Sequence, residues 1–314
     1  MKYKHLFNAS LAALLASVAL PGFQAEAVAK TVPVTIHAVE KDVAYDNKGS
    51  TYHAWTFGGT VPGPVVRVTE GDIIEFTLIN DEGNKNSHSM DFHAARVDVV
   101  TDFDSVKPGE TKKFTSPASK PGVFFYHCGS DPMIQHIARG MYGVIIVDPK
   151  DENALPKADR EYVLIQAEHY ENPDDKTAMM RNKWANVVFN GGIFKYSPVH
   201  DSEATRWLQA KPGERVRIYF VNAGPNEFSS LHPIAGMWDK VFPSGSPKNV
   251  LHNMQSYTVG PGDAAALDLI SPVEGANAIV DHAMHHAMSG AIAVIMFSDD
   301  ADPEMGRGDN ILIR

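Results

Sequence analysis

The sequence predicts an all-β protein built from two tandem β-sandwich domains. Short runs rich in Val, Ile, Phe and Thr alternate with turns that contain Gly or Pro, and helical periodicity is scarce between residues 31 and 150. A similar succession of strands restarts after residue 160. Period-two alternation with frequent turn signals is typical of antiparallel sandwiches and barrels.

The first segment of the chain is expected to be removed. Residues 1–27 combine a basic start, an apolar run from Leu11 to Leu20 and small residues around Ala25. This is the layout of a cleaved secretory signal, because the apolar run is too short to cross a bilayer. A retained anchor or a short buried helix is the alternative. No later segment resembles a membrane span, so we expect an exported protein.

The remaining chain is longer than the roughly 100–200 residues of a typical domain, which predicts two domains. Runs such as "DIIEFTLIN", "GVFFYH" and "YGVIIVD" place the first at residues 31–150. The stretch "DPKDENALPKADR" is charged and contains two prolines, which predicts a linker at residues 151–160. The second domain then covers residues 161–314.

Two pairs of segments indicate a divergent internal repeat. "VTEGDIIEFTLIN" is similar to "AKPGERVRIYFVN", and "VKPGETKKFTSPASKPGVFFYHC" is similar to "VGPGDAAALDLISPVEGANAIVDHA". In this register His127 and Cys128 fall near His282 and Ala283. The second copy is therefore expected to keep a histidine and to lack the thiol.

Charge and cysteine content exclude some classes of function. The formal net charge is −10, with acidic residues spread along the chain, which argues against nucleic acid as a partner. Cys128 is the only cysteine, so an exported chain has no internal disulfide. A bound metal would explain how a lone thiol survives in an oxidising compartment.

The stretch from Phe124 to Gly143, "FFYHCGSDPMIQHIARGMYG", carries a ligand set that copper prefers. Thiolate and thioether sulfur with imidazole nitrogen describes an electron-transfer copper site, and Cys128, His136 and Met141 supply three of its four ligands. A second histidine must come from elsewhere. "NSHSMDFHAA" offers both His88 and His93.

One such site leaves several histidines for a second metal. Three neutral imidazoles with an open fourth position are typical of a catalytic metal, because substrate must displace water there. His127 adjoins Cys128, so a metal bound by His127 would be linked to the first through one stretch of backbone. His282 is a further candidate ligand.

On these residues the chain resembles the copper-containing nitrite reductases, two-domain cupredoxin enzymes of bacterial denitrification. The matching motifs are "HSMDFHAA", "YHC" followed by His136 and Met141, "LHPIAG" and "VDHAM", and the likeness covers essentially the whole mature chain. The resemblance implies two tandem cupredoxin-like Greek-key β-sandwich domains, a periplasmic location and two copper ions per chain, one of type 1 and one of type 2.

The resemblance also implies which residues bind each copper. The implied type 1 ligands are His88, Cys128, His136 and Met141, and the implied type 2 ligands are His93, His127 and His282. Members of the family are homotrimers in which the type 2 site lies between subunits and the third histidine comes from the neighbour.

Three further residues acquire roles from the same resemblance. Asp91 and His232 are implied to handle protons, and Ile234 to limit how substrate lies over the open copper position. The implied reaction is the one-electron reduction of nitrite to nitric oxide and water, with a periplasmic cupredoxin or cytochrome c as electron donor.

Two alternative functions share part of this pattern. A two-domain laccase-like multicopper oxidase would reduce dioxygen at a trinuclear cluster, but it needs paired His-x-His motifs that this sequence lacks. A non-catalytic copper electron carrier needs only one domain.

His285 and His286 follow His282 closely. The four-residue spacing from His282 to His286 is compatible with a helical metal pair, although a supporting or surface role is favoured for His285 and His286. The histidines expected to be incidental are His37, His53, His169, His200 and His252.

Overall fold

The computed structural model describes residues 29–313. The signal segment predicted at residues 1–27 lies outside them. Within residues 29–313, no helix is long and apolar enough to span a membrane.

The first half of the described chain forms two facing four-stranded sheets. Its elements are β1 (Thr31–Ala44), β2 (Thr51–Phe57), β3 (Val66–Thr69), β4 (Ile73–Asn80), β5 (Asp91–Phe92), β6 (Thr111–Pro117), β7 (Gly122–His127), α1 (Met133–Ala138) and β8 (Tyr142–Asp148). The strand orders are β2-β1-β4-β6 and β3-β8-β7-β5. Alternation along β4 buries Ile74, Phe76 and Leu78, which pack with Phe92 and Tyr126 of the opposite sheet. The core therefore lies between the two sheets.

The second half repeats this arrangement with larger sheets. Its elements are β9 (Arg160–His169), α2 (Lys176–Met180), β10 (Asn186–Phe189), β11 (Leu208–Ala210), β12 (Arg215–Gly224), β13 (Ser229–Ile234), β14 (Trp238–Pro243), β15 (Leu251–Met254), β16 (Tyr257–Val259), β17 (Ala264–Ile270), β18 (Gly275–Asp281), α3 (Met284–Ala287) and β19 (Ile292–Phe297). The strand orders are β10-β9-β12-β17-β14-β15 and β11-β19-β18-β13-β16. Phe220 of one sheet and Ile279 of the other share one core.

The two halves pack against each other through apolar strands. Almost every residue of β12 is buried, because its second face is covered by the first half. Val144 and Ile146 of β8 lie in one cluster with Val163, Val221 and Ala266 of the second half. This packing explains why β12 is buried on both of its faces.

The all-β prediction is confirmed, since the helical segments among residues 29–313 are the three short helices α1, α2 and α3. The sheets are mixed rather than purely antiparallel. β1 pairs in parallel with β4 and β3 with β8, and in the second half β9 pairs in parallel with β12 and β11 with β19. The same pairings in both halves are the structural counterpart of the sequence repeat. The domain limits at 31–150 and 161–314 stay predictions.

The structure corrects the register of that repeat by two residues. The main-chain N–H of Cys128 donates to the carbonyl of Met141 (3.1 Å), and the N–H of Asp281 donates to the carbonyl of Ala291 (3.2 Å). Asp281, rather than Ala283, therefore occupies the position of Cys128 in the second half.

Hydrogen bonds to the side chains agree with this register. The N–H of Ser89 donates to Sγ of Cys128 (3.3 Å), and the N–H of Ser230 donates to Oδ1 of Asp281 (2.9 Å). A carboxylate thus takes the place of the thiol as acceptor. The letters "HC" and "HA" align well in sequence, but strand pairing decides equivalence. By that pairing His127 corresponds to Val280, and His282 lies two residues beyond it.

A buried ion pair joins two central strands of the second half. Nε and Nη2 of Arg217 on β12 lie 2.7 and 2.9 Å from the two carboxylate oxygens of Asp268 on β17. We expect Asp268→Ala to lower the free energy of unfolding by about 3–5 kcal/mol, because the buried guanidinium loses its counter-charge. Urea unfolding of the copper-free protein measures the effect. Asp42→Ala, which removes an exposed partner of His53, should cost less than about 1 kcal/mol. Equal losses in the two variants would contradict the assignment.

Candidate metal centres

Cys128 lies in a buried cluster with two histidines. It directly follows β7, His136 lies in α1, and His88 precedes β5. Sγ of Cys128 lies 3.2 Å from Nδ1 of His136, and Nδ1 of His88 lies 3.3 Å from the same nitrogen. None of the three residues is more than 2% exposed. Three of the residues predicted to bind type 1 copper are thus brought together from separate segments.

Met141, the fourth residue predicted for this site, is fully buried directly before β8. Its N–H donates to the carbonyl of His136, and its own carbonyl accepts from the N–H of Cys128, both at 3.1 Å. These main-chain bonds hold Met141 beside the two residues it is predicted to join.

Burial sets the charge of these groups. It raises the pKa of the Cys128 thiol, and hydrogen bonds from Ser130 and Ser89 lower that pKa only in part. Burial lowers the pKa of His88, and burial together with the nearby His88 lowers the pKa of His136 to about 3. Both imidazoles are therefore neutral at pH 7, which is the form that binds metals. A bound cation would favour ionisation of the thiol.

Glu40 on β1 determines the tautomer of His88. Nε2 of His88 donates to Oε1 of Glu40 at 3.1 Å, which leaves the Nδ1 lone pair directed at Cys128 and His136. Burial would raise the pKa of Glu40, but hydrogen bonds from Asn86 and Lys85 bring it below its ordinary value, so the carboxyl is ionised. A carboxylate behind a histidine is the usual support for a metal ligand. With a thiol and a thioether beside it, the donor set fits copper.

We expect Glu40→Gln to weaken copper binding at this cluster by roughly 10–100-fold, because His88 loses the charged acceptor that orients its ring. Competition with a copper chelator, followed by the visible absorption of the copper–thiolate bond, measures the change. Glu75→Gln on the exposed side of β4 is the matched control. Unchanged affinity in Glu40→Gln would contradict the role of this carboxylate.

A second cluster contains Asp91, His93 and His127. Nε2 of His93 lies 3.2 Å from Nε2 of His127, and Oδ2 of Asp91 lies 3.7 Å from the latter nitrogen. Nδ1 of His127 donates to the carbonyl of Cys128 (3.0 Å), so its Nε2 carries a lone pair that faces His93. The pKa of His127 is lowered, and burial is the largest cause. The hydrogen bond to the Cys128 carbonyl and the charge of Asp91 oppose this shift. His93 is exposed, so this cluster opens to the surface.

Strand geometry places the two clusters on opposite sides of one backbone. Successive side chains of an extended chain point to opposite faces. His127 and Cys128 are successive, and β5 pairs Asp91 with His127. The N–H of Ser89 donates to Sγ of Cys128 (3.3 Å), which holds the segment of His88 beside the thiol. The N–H of His93 donates to the carbonyl of Phe125 (3.1 Å), which holds His93 beside His127.

His282 lies outside the second cluster of the same chain. Among residues 29–313, the group around His127 that can hold a metal comprises Asp91 and His93. The ring of His282 instead lies 5.2 Å from the ring of His232, centroid to centroid. One chain therefore brings together two of the three residues predicted to bind type 2 copper.

The pair of His232 and His282 belongs to an exposed surface of the second half. Nδ1 of His232 donates to the carbonyl of Gln255 at 2.6 Å, which leaves its Nε2 as the free acceptor of the ring. Ile234 follows two positions later on β13, on the same side of the strand, and is 46% exposed. His282 is also exposed.

A helical pair of His282 and His286 does not form. Helix α3 begins at Met284, and His286 is buried with Nδ1 only 2.6 Å from Oδ2 of Asp281. Asp281 also accepts the N–H of Ala283, which directly follows His282. His286 is thus connected through Asp281 to the segment that carries His282, which agrees with the supporting role favoured for it.

Several residues that shape the first cluster carry no recognisable signal of that role in a motif or spacing. Glu40 lies on the same inward face of β1 as Ile36 and Ala38. A carboxylate on a buried face needs a partner, and this pattern was the one feature of the sequence that could have indicated a role for Glu40. The ring of Trp55 lies 4.6 Å from that of His136, and the Arg139 guanidinium lies 4.5 Å from the Trp55 ring. Neither residue has a spacing that predicts these contacts.

Known proteins resemble this chain in sequence. The model of the multicopper oxidase family matches residues 38–152. A copper-containing nitrite reductase of Neisseria gonorrhoeae is 35% identical over 287 residues, which cover 87% of this chain and 70% of the relative. The chain belongs to the copper-containing nitrite reductases.

Solved structures place this nitrite reductase chain within the cupredoxin fold. A copper nitrite reductase from Nitrosomonas europaea is 84% identical, with a TM-score of 0.90, and the match covers 91% of this chain and all of that one. A blue copper oxidase from Nitrosomonas europaea is 21% identical with a TM-score of 0.73, over 85% of this chain and 86% of that one. The second likeness shows the fold alone. Family membership thus favours the nitrite reductase interpretation over the laccase-like alternative and implies copper as cofactor.

Proposed function

We propose that this chain reduces nitrite to nitric oxide and water by one electron, using two copper ions per chain. The observation that carries the proposal is the pair of clusters on either side of the dipeptide His127-Cys128. One is buried and contains sulfur, as suits electron transfer, and the other is open and contains imidazole and carboxylate, as suits substrate. Membership of the copper-containing nitrite reductases supports the choice of substrate.

The first set would hold type 1 copper through His88, Cys128, His136 and Met141. Copper, when bound, supplies one-electron transfer at this set and Lewis-acid activation of an oxyanion at the second. The protein keeps water out of the first set, because these four residues are buried. The two clusters meet at one peptide unit, which gives an electron a short covalent path between them.

The second set would be completed between subunits of a homotrimer. His93 and His127 of one chain would share type 2 copper with His282 of the neighbouring chain. Support comes from the separation of His282 from the other two within one chain and from its exposure beside His232. Catalytic metal sites commonly use three protein ligands and an open position.

Asp91 and His232 would deliver the two protons that the reaction consumes. Nitrite, one electron and two protons give nitric oxide and water, so one oxygen of nitrite must leave as water. The Asp91 side chain is 30% exposed beside His127, and the Nδ1 bond of His232 to Gln255 leaves Nε2 open toward substrate. Each group would first take up a proton from solvent, Asp91 on its carboxylate and His232 on Nε2, and would then pass it to the departing oxygen. Ile234 would cover the open position with an apolar surface.

The electron donor is proposed to be a periplasmic cupredoxin or cytochrome c, consistent with the predicted export signal. Met133 on α1, three residues before His136, is 45% exposed. It would give such a donor an apolar contact close to the buried cluster. The enzyme would then serve denitrification.

Copper analysis and turnover together test this function. Wild-type protein should bind two copper ions per chain and release nitric oxide from nitrite when a reduced donor is supplied. One copper per chain without nitric oxide would favour an electron carrier. Oxygen consumption with phenolic or cuprous substrates, in the absence of nitrite turnover, would favour a laccase-like oxidase.

A further inference from the structure

A third group of metal-binding side chains lies in the second half and shares no residue with either candidate copper site. Its members are Glu227, His285 and His286, whose ligand atoms all lie within 4.8 Å of one another. Glu227 precedes β13, and both histidines lie in α3. Neither the proposed reaction nor the predicted ligand sets use these residues.

His286 presents a buried nitrogen that lacks a hydrogen-bond partner. The residue is 1% exposed, and its Nδ1 donates to Oδ2 of Asp281 at 2.6 Å. This bond places the ring proton on Nδ1 and leaves the lone pair on Nε2. Nε2 is buried without a hydrogen-bond partner among residues 29–313, and it lies 3.8 Å from Oε2 of Glu227. Two acceptors therefore face each other, which is unfavourable unless a cation lies between them.

Hydrogen bonds hold Glu227 in this orientation. Its Oε1 accepts from Nε1 of Trp184 (3.0 Å) and from Nδ2 of Asn182 (2.5 Å). Its main-chain N–H donates to Oε1 of Glu168 at 2.5 Å. The second carboxylate oxygen is thus directed at His286 by contacts that do not involve a metal.

His285 completes the group from the solvent side. Its ring stacks on Trp184 with centroids 5.6 Å apart and an interplanar angle of 20°, and it lies 4.2 Å from the ring of His286. The residue is exposed. An ion could therefore enter from solvent past His285 and reach the buried nitrogen.

We propose that Glu227, His285 and His286 form a third metal site, which takes a divalent transition-metal ion such as Zn²⁺. Two imidazoles with one carboxylate are a usual ligand set for zinc, and Asp281 stands behind His286 as a carboxylate stands behind many metal-bound histidines. The ion would join the segment before β13 to α3. Both segments flank the surface that carries His232 and His282.

Zinc binding to copper-saturated protein tests this site directly. Equilibrium dialysis against Zn²⁺, with zinc and copper measured in the same samples by mass spectrometry, should find one zinc per chain and no loss of copper. Glu227→Gln and His285→Ala should each weaken zinc binding by at least about 10-fold, because each removes a ligand. Tryptophan fluorescence should change with zinc in the wild type, because His285 stacks on Trp184, and at the same zinc concentration it should change less in Glu227→Gln and His285→Ala.

His252→Ala, which removes an exposed histidine from β15, is the matched control and should bind zinc as the wild type does. Three outcomes would overturn the proposal. They are no zinc uptake, equal uptake by all variants, and zinc uptake matched by copper release. Nitrite turnover does not enter these readouts, so they stand apart from the proposed function.

Discussion

Chains carrying His93→Ala and chains carrying His282→Ala, each inactive alone, should recover about a quarter of wild-type nitrite reduction when assembled together in equal amounts. In the proposed homotrimer, a complete type 2 site needs His93 from one chain and His282 from the next. Random assembly around a three-fold axis pairs an intact His93 chain with an intact His282 chain in about one interface of four. Co-expression of the two variants in equal amounts, without separating the trimers by composition, gives this random mixture, and nitric oxide release measures its activity.

The matched control is a mixture of His93→Ala with His127→Ala. Both residues belong to the same half of the site, with their Nε2 atoms 3.2 Å apart, so no interface in this mixture is complete and activity should stay at background. Recovery in the control, or none in the first mixture, would contradict a site shared between subunits.

Cys128→Ala should abolish the visible absorption of the copper–thiolate bond, lower the copper content from two to one per chain and reduce turnover with a protein donor to background. Of the two sulfur atoms proposed to bind type 1 copper, only that of Cys128 can carry a negative charge. Cys128 is fully buried, so solvent does not supply a replacement ligand. Absorption spectra, copper analysis and nitric oxide release on one preparation measure all three effects.

His93→Ala should produce the opposite pattern. The thiolate absorption should persist, because His93 lies on the other side of the backbone from Cys128, while nitrite turnover should be lost. If Cys128→Ala kept turnover with the protein donor, or if His93→Ala lost the absorption, then the separation of the two sites would be wrong.

Local pattern was sufficient to predict much of the chain. Period-two alternation predicted strands such as β4, and the adjacency of His127 and Cys128 predicted two sites linked through one stretch of backbone, because both are local properties of the chain. The spacing of Cys128, His136 and Met141 predicted a sulfur-rich cluster without knowledge of the rest of the fold. The family resemblance also predicted that His88, and not His93, joins the thiol.

The local sequence pattern did not predict contacts between residues that are far apart in the chain. Glu40 reaches His88 from 48 positions earlier in the chain, and only the pairing of β1 with β4 brings the two segments together. Strand pairing likewise shows that Asp281 takes the place of Cys128, where sequence similarity placed Ala283. The unpaired nitrogen of His286 depends on Asp281 in turn, so it could not be foreseen from the sequence.

The sequence by itself determined the kinds of ligand present and the opposed directions of His127 and Cys128, since residue chemistry and strand alternation act over a few neighbouring positions. Tertiary structure decided which ligands meet. It brought His88 and His136 to the thiol, kept His282 apart from His93 within one chain, and set Glu227 against His286. These outcomes depend on how distant strands pair and pack, because a ligand set forms only where the whole fold places its members within a few ångströms of one another.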